Sequence, residues 1–525
     1  MLITGIAYLT ACDVSVDPIG TATEERVFTE DDSYEQFLAK LYAGLNVTGQ
    51  EGPAGAGDIG GIDEGFSQYM RLYWSMQQLP TDEAIIAWED DGIEELSDHS
   101  WGPDNQFTRA MYDRVFFQVS QSNEFLRQST ADLLEDRGNS PQVRERVPQF
   151  RAEARFLRAL SYWHGLDIFG PTPLVTEDFV RGAEAPPQST QEEIFSFIES
   201  ELLAITGESG SGEEVLPPIG DAEYGRADQG AAYMLLAKLY QNAPTYTGQD
   251  RSSDVVQYTE RILDSGVYRL EDTYHNQFLA DNAMSPEFIF AIPHDGDNTR
   301  HFGGTTFLGN ASLGGQADQF GLQGWFGLRT TSAVVDRYDG NDQRPVFPNT
   351  AGDQFIQEGR SKEITSITDF AGGGGFLVPK YQNVTSAGEP GVNNVHSDVD
   401  YPVFRLADVH LMYAEAVLRG GGGSEARALD LVNDLRERAF GGSSGNITQA
   451  ELDLDFILDE RSRELLWEGH RRTDLIRFEQ FTDQGVWPWK GGVAEGRTTE
   501  GFRDLYPFPF TELNANPTLQ QNPGY

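Results

Sequence analysis

Apolar residues recur in steps of three and four along most of the chain, and those steps predict a succession of helices. The strongest series lies at 150–173, FRAEARFLRALSYWHGLDIFGPTP. One row passes through Phe150, Ala154, Leu157, Ser161 and His164, a second through Phe156, Ala159, Leu160 and Trp163. Two apolar rows predict a helix covered on two sides, set inside a helical array rather than on its rim. Gly170, Pro171 and Pro173 end it. Similar spacing predicts helices at 29–45, 66–78, 106–128, 141–169, 191–205, 227–241, 254–263, 405–418, 424–440 and 455–478. Small alanines among large aromatics, as in GAAYMLLAKLY, suit tetratricopeptide-like helical hairpins, although no strict repeat period is present.

The helical period lapses at 267–400, where Gly, Asp, Asn, Thr and aromatics dominate. Short strands are expected at 288–293 and 376–381, and the stretch is expected to contain no helix. A loop region this long inside a helical protein points to function. The expected fold is mainly α: one body over 29–525. Its helical-hairpin scaffold comprises 29–266 and 401–525. A loop-rich second lobe with short β-strands, 267–400, lies across the scaffold and faces the ligand. The stretch 79–105 is also expected to be mostly loop.

Charge changes the picture in two ways. Arg151, Arg155 and Arg158 share one face of the central predicted helix. A buried arginine row requires carboxylates opposite it. The expected partners are Glu464 or Glu468, in the charged, leucine-interrupted helix 455–478. Over the 525 residues the formal net charge is −45, from 38 basic and 83 acidic side chains. That excludes nucleic acid and anionic lipid surfaces as partners, since both need a basic patch. Only five of the basic residues are lysines, Lys40, Lys238, Lys362, Lys380 and Lys490. A carboxylate-rich, lysine-poor surface suits a salty habitat, because salt screens the self-repulsion; a codon-biased genome with an acidic cell surface is the alternative.

Cys12 is the one cysteine, so no internal disulfide forms. It follows a short apolar run and the small residues of Leu9-Thr10-Ala11, the pattern of a bacterial lipobox. Residues 1–12 are therefore expected to be a lipoprotein signal, with Cys12 lipidated, and 13–28 a tether. The basic segment that usually opens such a signal is missing, which suggests a true start further upstream. No apolar run approaches the roughly 18 residues of a membrane span, so the expected link to the membrane is an anchor.

Catalytic constellations are absent from the sequence. The histidines are scattered without metal-ligand spacing. GAGDIG at 55–60 lacks the strand and helix of a dinucleotide site. GGSSG at 441–445 follows a helix, where a nucleophile elbow needs a strand. Calcium is kept as an alternative for Asp295-Gly-Asp297-Asn298 and Asp339-Gly-Asn341-Asp342, with turn formation the simpler reading; no other cofactor is expected. The aromatic residues carry more. Trp163 and Trp467 lie on predicted core helices and are expected to pack there. Trp88, Trp101 and Trp325 lie in Gly/Asp-rich loops. A flat indole in a loop suits stacking on the apolar face of a sugar ring, with polar neighbours for its hydroxyls. Trp101 and Trp325, then Trp88, are the expected ligand contacts, with Asp91, Asn105 and Arg329 as polar partners.

Four stretches in order carry a resemblance: 150–173, 401–418 (YPVFRLADVHLMYAEAVL), 455–478 (DFILDERSRELLWEGHRRTDLIRF) and 508–525 (FPFTELNANPTLQQNPGY). Together they resemble the SusD/RagB family of nutrient-binding outer-membrane lipoproteins, from about residue 30 to the C-terminus. The resemblance implies the helical-hairpin scaffold and a glycan-binding aromatic surface formed by the two loop regions. It also implies a surface lipoprotein that hands an oligosaccharide to a SusC-like TonB-dependent β-barrel transporter and acts as that barrel's lid. The alternatives are the same scaffold binding peptides, or one that binds only other proteins.

Overall fold

In a computed structural model the chain is described at residues 27–53, 55–180, 182, 184–209, 212–315, 317–345 and 360–525. Cys12, the expected signal and nearly all of the expected tether lie outside the described residues. The first part of the scaffold comprises α1 (Ser33–Asn46), α2 (Tyr69–Gln78), α3 (Glu94–Asp98), α4 (Gln106–Gln128), α5 (Ala131–Asp136), α6 (Pro141–Phe169), α7 (Gln191–Ile205), α8 (Gln229–Gln241), α9 (Ala243–Thr247) and α10 (Ser252–Asp264). The strand β1 (Ile85–Ile86) lies between α2 and α3. Then come β2 (Phe288–Ile292), α11 (Gly304–Ala311), β3 (Leu328–Arg329) and α12 (Ser332–Val335). The chain closes with β4 (Tyr401–Arg405), α13 (Leu406–Leu418), α14 (Glu425–Phe440), α15 (Leu454–Glu464), α16 (Arg471–Arg477) and α17 (Phe510–Ala515).

The long helices begin and end on local chemistry. Ser140 caps α6 through Val143 N, with Pro141 at its first position. Thr190 and Glu193 form a reciprocal capping box on α7. Asp228, Ser424 and Asp453 cap α8, α14 and α15. The helices then pack as an array in which α4 lies on α6, α6 on α7, α7 on α8, α8 on α10, α10 on α13, and α13 on α14 and α15. This is the expected mainly helical, hairpin-built scaffold. Trp163 and Trp467 are buried in its core, as expected.

Three expectations need correction. The stretch 455–478 is two helices, not one. Between α15 and α16, Trp467 takes a left-handed backbone (φ 61°), as does Gly469 (φ 82°). The break lets the Trp467 indole drop edge-on against Trp74, 5.6 Å away, and donate to the Glu83 carbonyl at 3.0 Å. The loop-rich lobe contains α11 and α12, and 376–381 forms no strand beyond a single bridge between Phe376 and Thr330. The strand at 288–292 is present, but pairs antiparallel with β4 of the scaffold, outside the lobe.

The arginine row of α6 is paired, but with closer partners than expected. Arg155 and Arg158 meet Glu201 of α7 at 2.8 and 2.6 Å, Arg151 meets Glu214 at 2.6 Å, and Arg158 also holds Glu177. Glu464 and Glu468 belong to a separate buried cluster. Arg405 binds Glu287 at 2.8 Å, Glu464 at 2.8 Å and Glu468 at 2.6 Å. Arg344 reaches Glu460 at 2.7 Å and Glu464 at 3.1 Å, and Lys380 binds Glu468 at 2.6 Å. These bonds join β4 and α15 to the lobe. Burial works against ionising Glu464, but the guanidiniums of Arg438, Arg405 and Arg344 override it and hold the carboxyl down at about 2. Three of the five lysines, Lys238, Lys380 and Lys490, are buried.

Candidate functional site

The two loop regions singled out by the sequence meet through a very short sheet. β1 pairs antiparallel with β3, Ile85 opposite Arg329 and Ile86 opposite Leu328. The pairing continues as Ala87 N donates to the Gly327 carbonyl at 2.9 Å. On its other edge the 325–327 segment is fixed to the end of α11. Trp325 N donates to Asn310 O at 2.8 Å, Phe326 N to Leu313 O at 2.9 Å and Gly327 N to Ala311 O at 3.0 Å. Both loops are thus clamped where their aromatic residues emerge.

The register places Trp88 across from Phe326. Phe326 has φ 57°, in the left-handed region, which ends the strand's period of two. Trp325 consequently comes beside Trp88 instead of pointing to the opposite face. The ring centroids lie 6.4 Å apart at 38°, and Trp88 Nε1 donates to the Trp325 carbonyl at 3.3 Å. Gly327 makes this fit. A Cβ there would meet the Trp88 ring at 2.7 Å, so the indole rests on bare backbone.

Further rings extend the surface. Phe302 packs on Trp325 at 5.9 Å and Phe66 on Trp88 at 6.2 Å, each edge-on. Trp88, Trp325, Phe66 and Phe302 are all half-buried, and Phe326 is 49% exposed. Glu89 and Asp90 are exposed next to Trp88. Arg71 supports the group. Its guanidinium lies 4.1 Å from the Phe66 ring centre, 4.3 Å from that of Phe307 and 5.5 Å from that of Trp88. It donates to the Phe302 carbonyl at 2.7 Å and the Gly65 carbonyl at 3.1 Å. Burial brings its pKa down to about 9, against the opposing charges of Asp63 and Asp90.

The expected ligand residues therefore separate. Trp88 and Trp325 come together at the surface, and Asp91 is exposed three residues beyond Trp88. Trp101 does not join them. It is 1% exposed, stacked on Tyr506 at 4.6 Å, and its Nε1 donates to the Tyr525 hydroxyl at 2.7 Å. Asn105 is spent capping α4, its Oδ1 accepting from the N–H groups of Phe107 and Thr108 at 3.0 Å each. Arg329 is fully buried and donates to the carbonyls of Gly374, Ser366 and Ile367, holding the 366–374 loop. None of these three side chains is free to reach a surface ligand. Asp295 and Asp339 spend their carboxylates on backbone N–H groups of their own turns, Asp297 and Asn298 in one and Asn341 in the other. Phe66, Phe302, Phe326 and Arg71 were not expected. Only their position beside the β1–β3 pair distinguishes them from core residues.

Comparison with known proteins gives a consistent result. A model of the SusD family matches residues 359–525. The starch-binding protein SusD of Bacteroides thetaiotaomicron is 32% identical, with 98% of this chain and 96% of that protein covered. The SusD-like protein P2 of Formosa agariphila is 27% identical over 82% of this chain and 83% of its own. Among solved structures, surface glycan-binding protein A from Bacteroides fluxus superposes with a TM-score of 0.71 at 20% identity, covering 94% of this chain and 100% of that one. Its Bacteroides thetaiotaomicron counterpart, in complex with laminarihexaose, gives 0.70 at 21% identity, covering 94% and 99%.

Proposed function

Because the chain belongs to the SusD family, we propose that it is a cell-surface glycan-binding lipoprotein that captures an oligosaccharide on the Trp88–Trp325 platform. The chain belongs with binding proteins, not enzymes. The observation that carries the reading is the pair of clamped, half-buried indoles of Trp88 and Trp325. Rigid rings lose little entropy when a pyranose stacks on them, and the adjacent carboxylates accept hydrogen bonds from its hydroxyls. The names of two relatives support a glycan ligand, one a starch-binding protein, the other bound to laminarihexaose.

A lipid on Cys12 is the proposed attachment to the outer membrane. Among the described residues no helix is long and apolar enough to cross a membrane. Delivery to a SusC-like TonB-dependent β-barrel, with this protein as its lid, is the step the family resemblance implies. Holding the ligand at the cell surface raises its concentration at the transporter mouth.

Isothermal titration with maltohexaose, laminarihexaose and a mixed hexapeptide tests the ligand class. Binding of a hexasaccharide that is lost on replacing Trp88 and Trp325 supports the reading. Binding of the peptide alone favours the peptide-binding alternative, and binding of none of the three favours a protein-only scaffold.

A further inference from the structure

Beside the platform lies a cavity of about 320 Å3. Ile86 of β1 forms one wall, Ser97 and Asp98 of α3 a second, residues 365–368 a third, and Trp489 the last. Its size falls within the roughly 300–1,000 Å3 range of small-molecule sites.

Two features of this cavity are unexplained by the fold. Ser97 is 6% exposed, lines the cavity, and its hydroxyl has no hydrogen-bond partner. A buried hydroxyl left unbonded is unfavourable, and a ligand hydroxyl would remove the deficit. Trp489 takes a left-handed backbone at φ 70°, strained for a non-glycine residue, and its Nε1 donates to the Ile364 carbonyl at 3.0 Å. The strain and that bond hold a half-buried indole against the cavity. The chemistry of the lining is mixed in the same way as the platform: an aromatic ring, two isoleucines, and the hydroxyl residues Ser97, Thr365, Ser366 and Thr368, with the carboxyls of Glu94 and Asp98.

The cavity also lies close to the platform along the chain, since Ile86 in its wall comes two residues before Trp88. By the strand's period of two, Ile86 and Trp88 face the same side, about 7 Å apart along the chain. The loop that supplies residues 365–368 also supplies Phe370, which packs edge-on against the exposed Phe326 at 5.5 Å. Arg329 of β3 ties that loop down through its carbonyls. The separation of about 7 Å between Ile86 and Trp88 is short against a hexasaccharide, so one chain resting on Trp88 extends far enough to place a neighbouring sugar at the cavity.

We propose that this cavity is a subsite for a neutral pyranose ring of the same oligosaccharide, stacked on Trp489 and hydrogen-bonded to Ser97. The proposal rests on the glycan-binding reading of the platform. Glu94 and Asp98 select against uronic acids and sulfated sugars, and the hydroxyl residues select against purely apolar ligands.

The test is isothermal titration with maltohexaose and laminarihexaose, each compared with its trisaccharide, using wild type, Ser97→Ala, Trp489→Ala and Trp88→Ala. A circular-dichroism melt checks that each variant is folded; Ser97→Ala removes one hydroxyl and keeps the test sound if Trp489→Ala does not fold. The expected result is that Ser97→Ala and Trp489→Ala weaken the hexasaccharide about fivefold or more and the trisaccharide much less, so the advantage of the longer ligand shrinks. Unchanged hexasaccharide affinity in Ser97→Ala overturns the proposal, while the platform reading survives if Trp88→Ala still loses binding. Loss in Ser97→Ala with none in Trp88→Ala upholds the cavity as a sugar site and overturns the platform. Binding of neither hexasaccharide to the wild type overturns both.

Discussion

The Trp88 indole donates its N–H to the backbone carbonyl of Trp325 at 3.3 Å. Two residues 237 positions apart are thereby locked ring beside ring, and the lock depends on a two-residue sheet and on a glycine with no side chain in the way. A pair of rings held this way is preorganised, so a ligand stacking on them would order little of the protein.

Gly327→Ala tests that fit. The added Cβ would stand 2.7 Å from the Trp88 ring and 2.9 Å from its indole nitrogen, so the ring must move. Overpacking of this kind costs about 1–3 kcal/mol. The expected outcome is an affinity for the hexasaccharide reduced about tenfold, with a modest fall in melting temperature. Unchanged affinity would show that the ring position is immaterial.

Trp101→Phe is the converse. Trp101 holds Tyr525 near the C-terminus and stacks on Tyr506, away from the surface. Replacing it is expected to lower stability by about 1–3 kcal/mol through the lost buried hydrogen bond and reduced packing. Ligand affinity should stay within about twofold of wild type, as read by titration and urea unfolding together.

The buried ion cluster should behave as a unit. Arg405 serves Glu287, Glu464 and Glu468 at once. Arg405→Met leaves three buried carboxylates short of a partner, and a cost of about 3–5 kcal/mol is expected from denaturant unfolding. A cost near zero would mean the cluster relaxes or takes up water.

Stability should peak on the acid side of neutrality. Glu460, Glu464 and Asp474 are buried, yet neighbouring guanidiniums depress each to about 2. Depressed carboxyls stabilise above their unfolded values and lose that contribution as pH falls through the folded ones. The lower limb should therefore decline below about pH 4.5. Asp400 is raised to about 6, chiefly by burial, against hydrogen bonds from Tyr224 and His294 N. A raised carboxyl stabilises below its unfolded value and loses that contribution as pH climbs through the folded one. The upper limb should fall near pH 6 and be flatter in Asp400→Asn. A urea midpoint that is level from pH 2 to 8 would contradict both signs.

Salt should strengthen the fold. Among the described residues the buried basic and acidic side chains nearly cancel, so their net negative charge lies on side chains that are not buried. A thermal melt in molar sodium chloride is expected to lie several degrees above one at low salt. Identical melts would reject a salt-adapted surface.

Much of the scaffold was legible from periodicity. Residues 106–128, 141–169 and 191–205 fold as helices at the expected bounds, because their apolar spacing and capping residues act locally. The break at Trp467 was not legible. Good helix formers flank Gly469 on both sides, and the break, centred on Trp467 as well as the glycine, fits a tertiary slot beside Trp74 and Glu83. The arginine row correctly implied carboxylates, but a charge pattern carries no address, and Glu201 and Glu214 lay nearer than Glu464. At the site, an indole in a loop looks the same whether it faces water, like Trp325, or the C-terminal tail, like Trp101. What separates them is strand pairing across more than two hundred residues, which one sequence does not display.

The most direct test is titration of maltohexaose and laminarihexaose into the Trp88→Ala/Trp325→Ala double variant, with circular dichroism showing that the scaffold is intact. A platform of stacked rings requires the double variant to lose at least tenfold, and more than either single change. Wild-type affinity in a folded double variant would contradict it and place the ligand elsewhere on the protein.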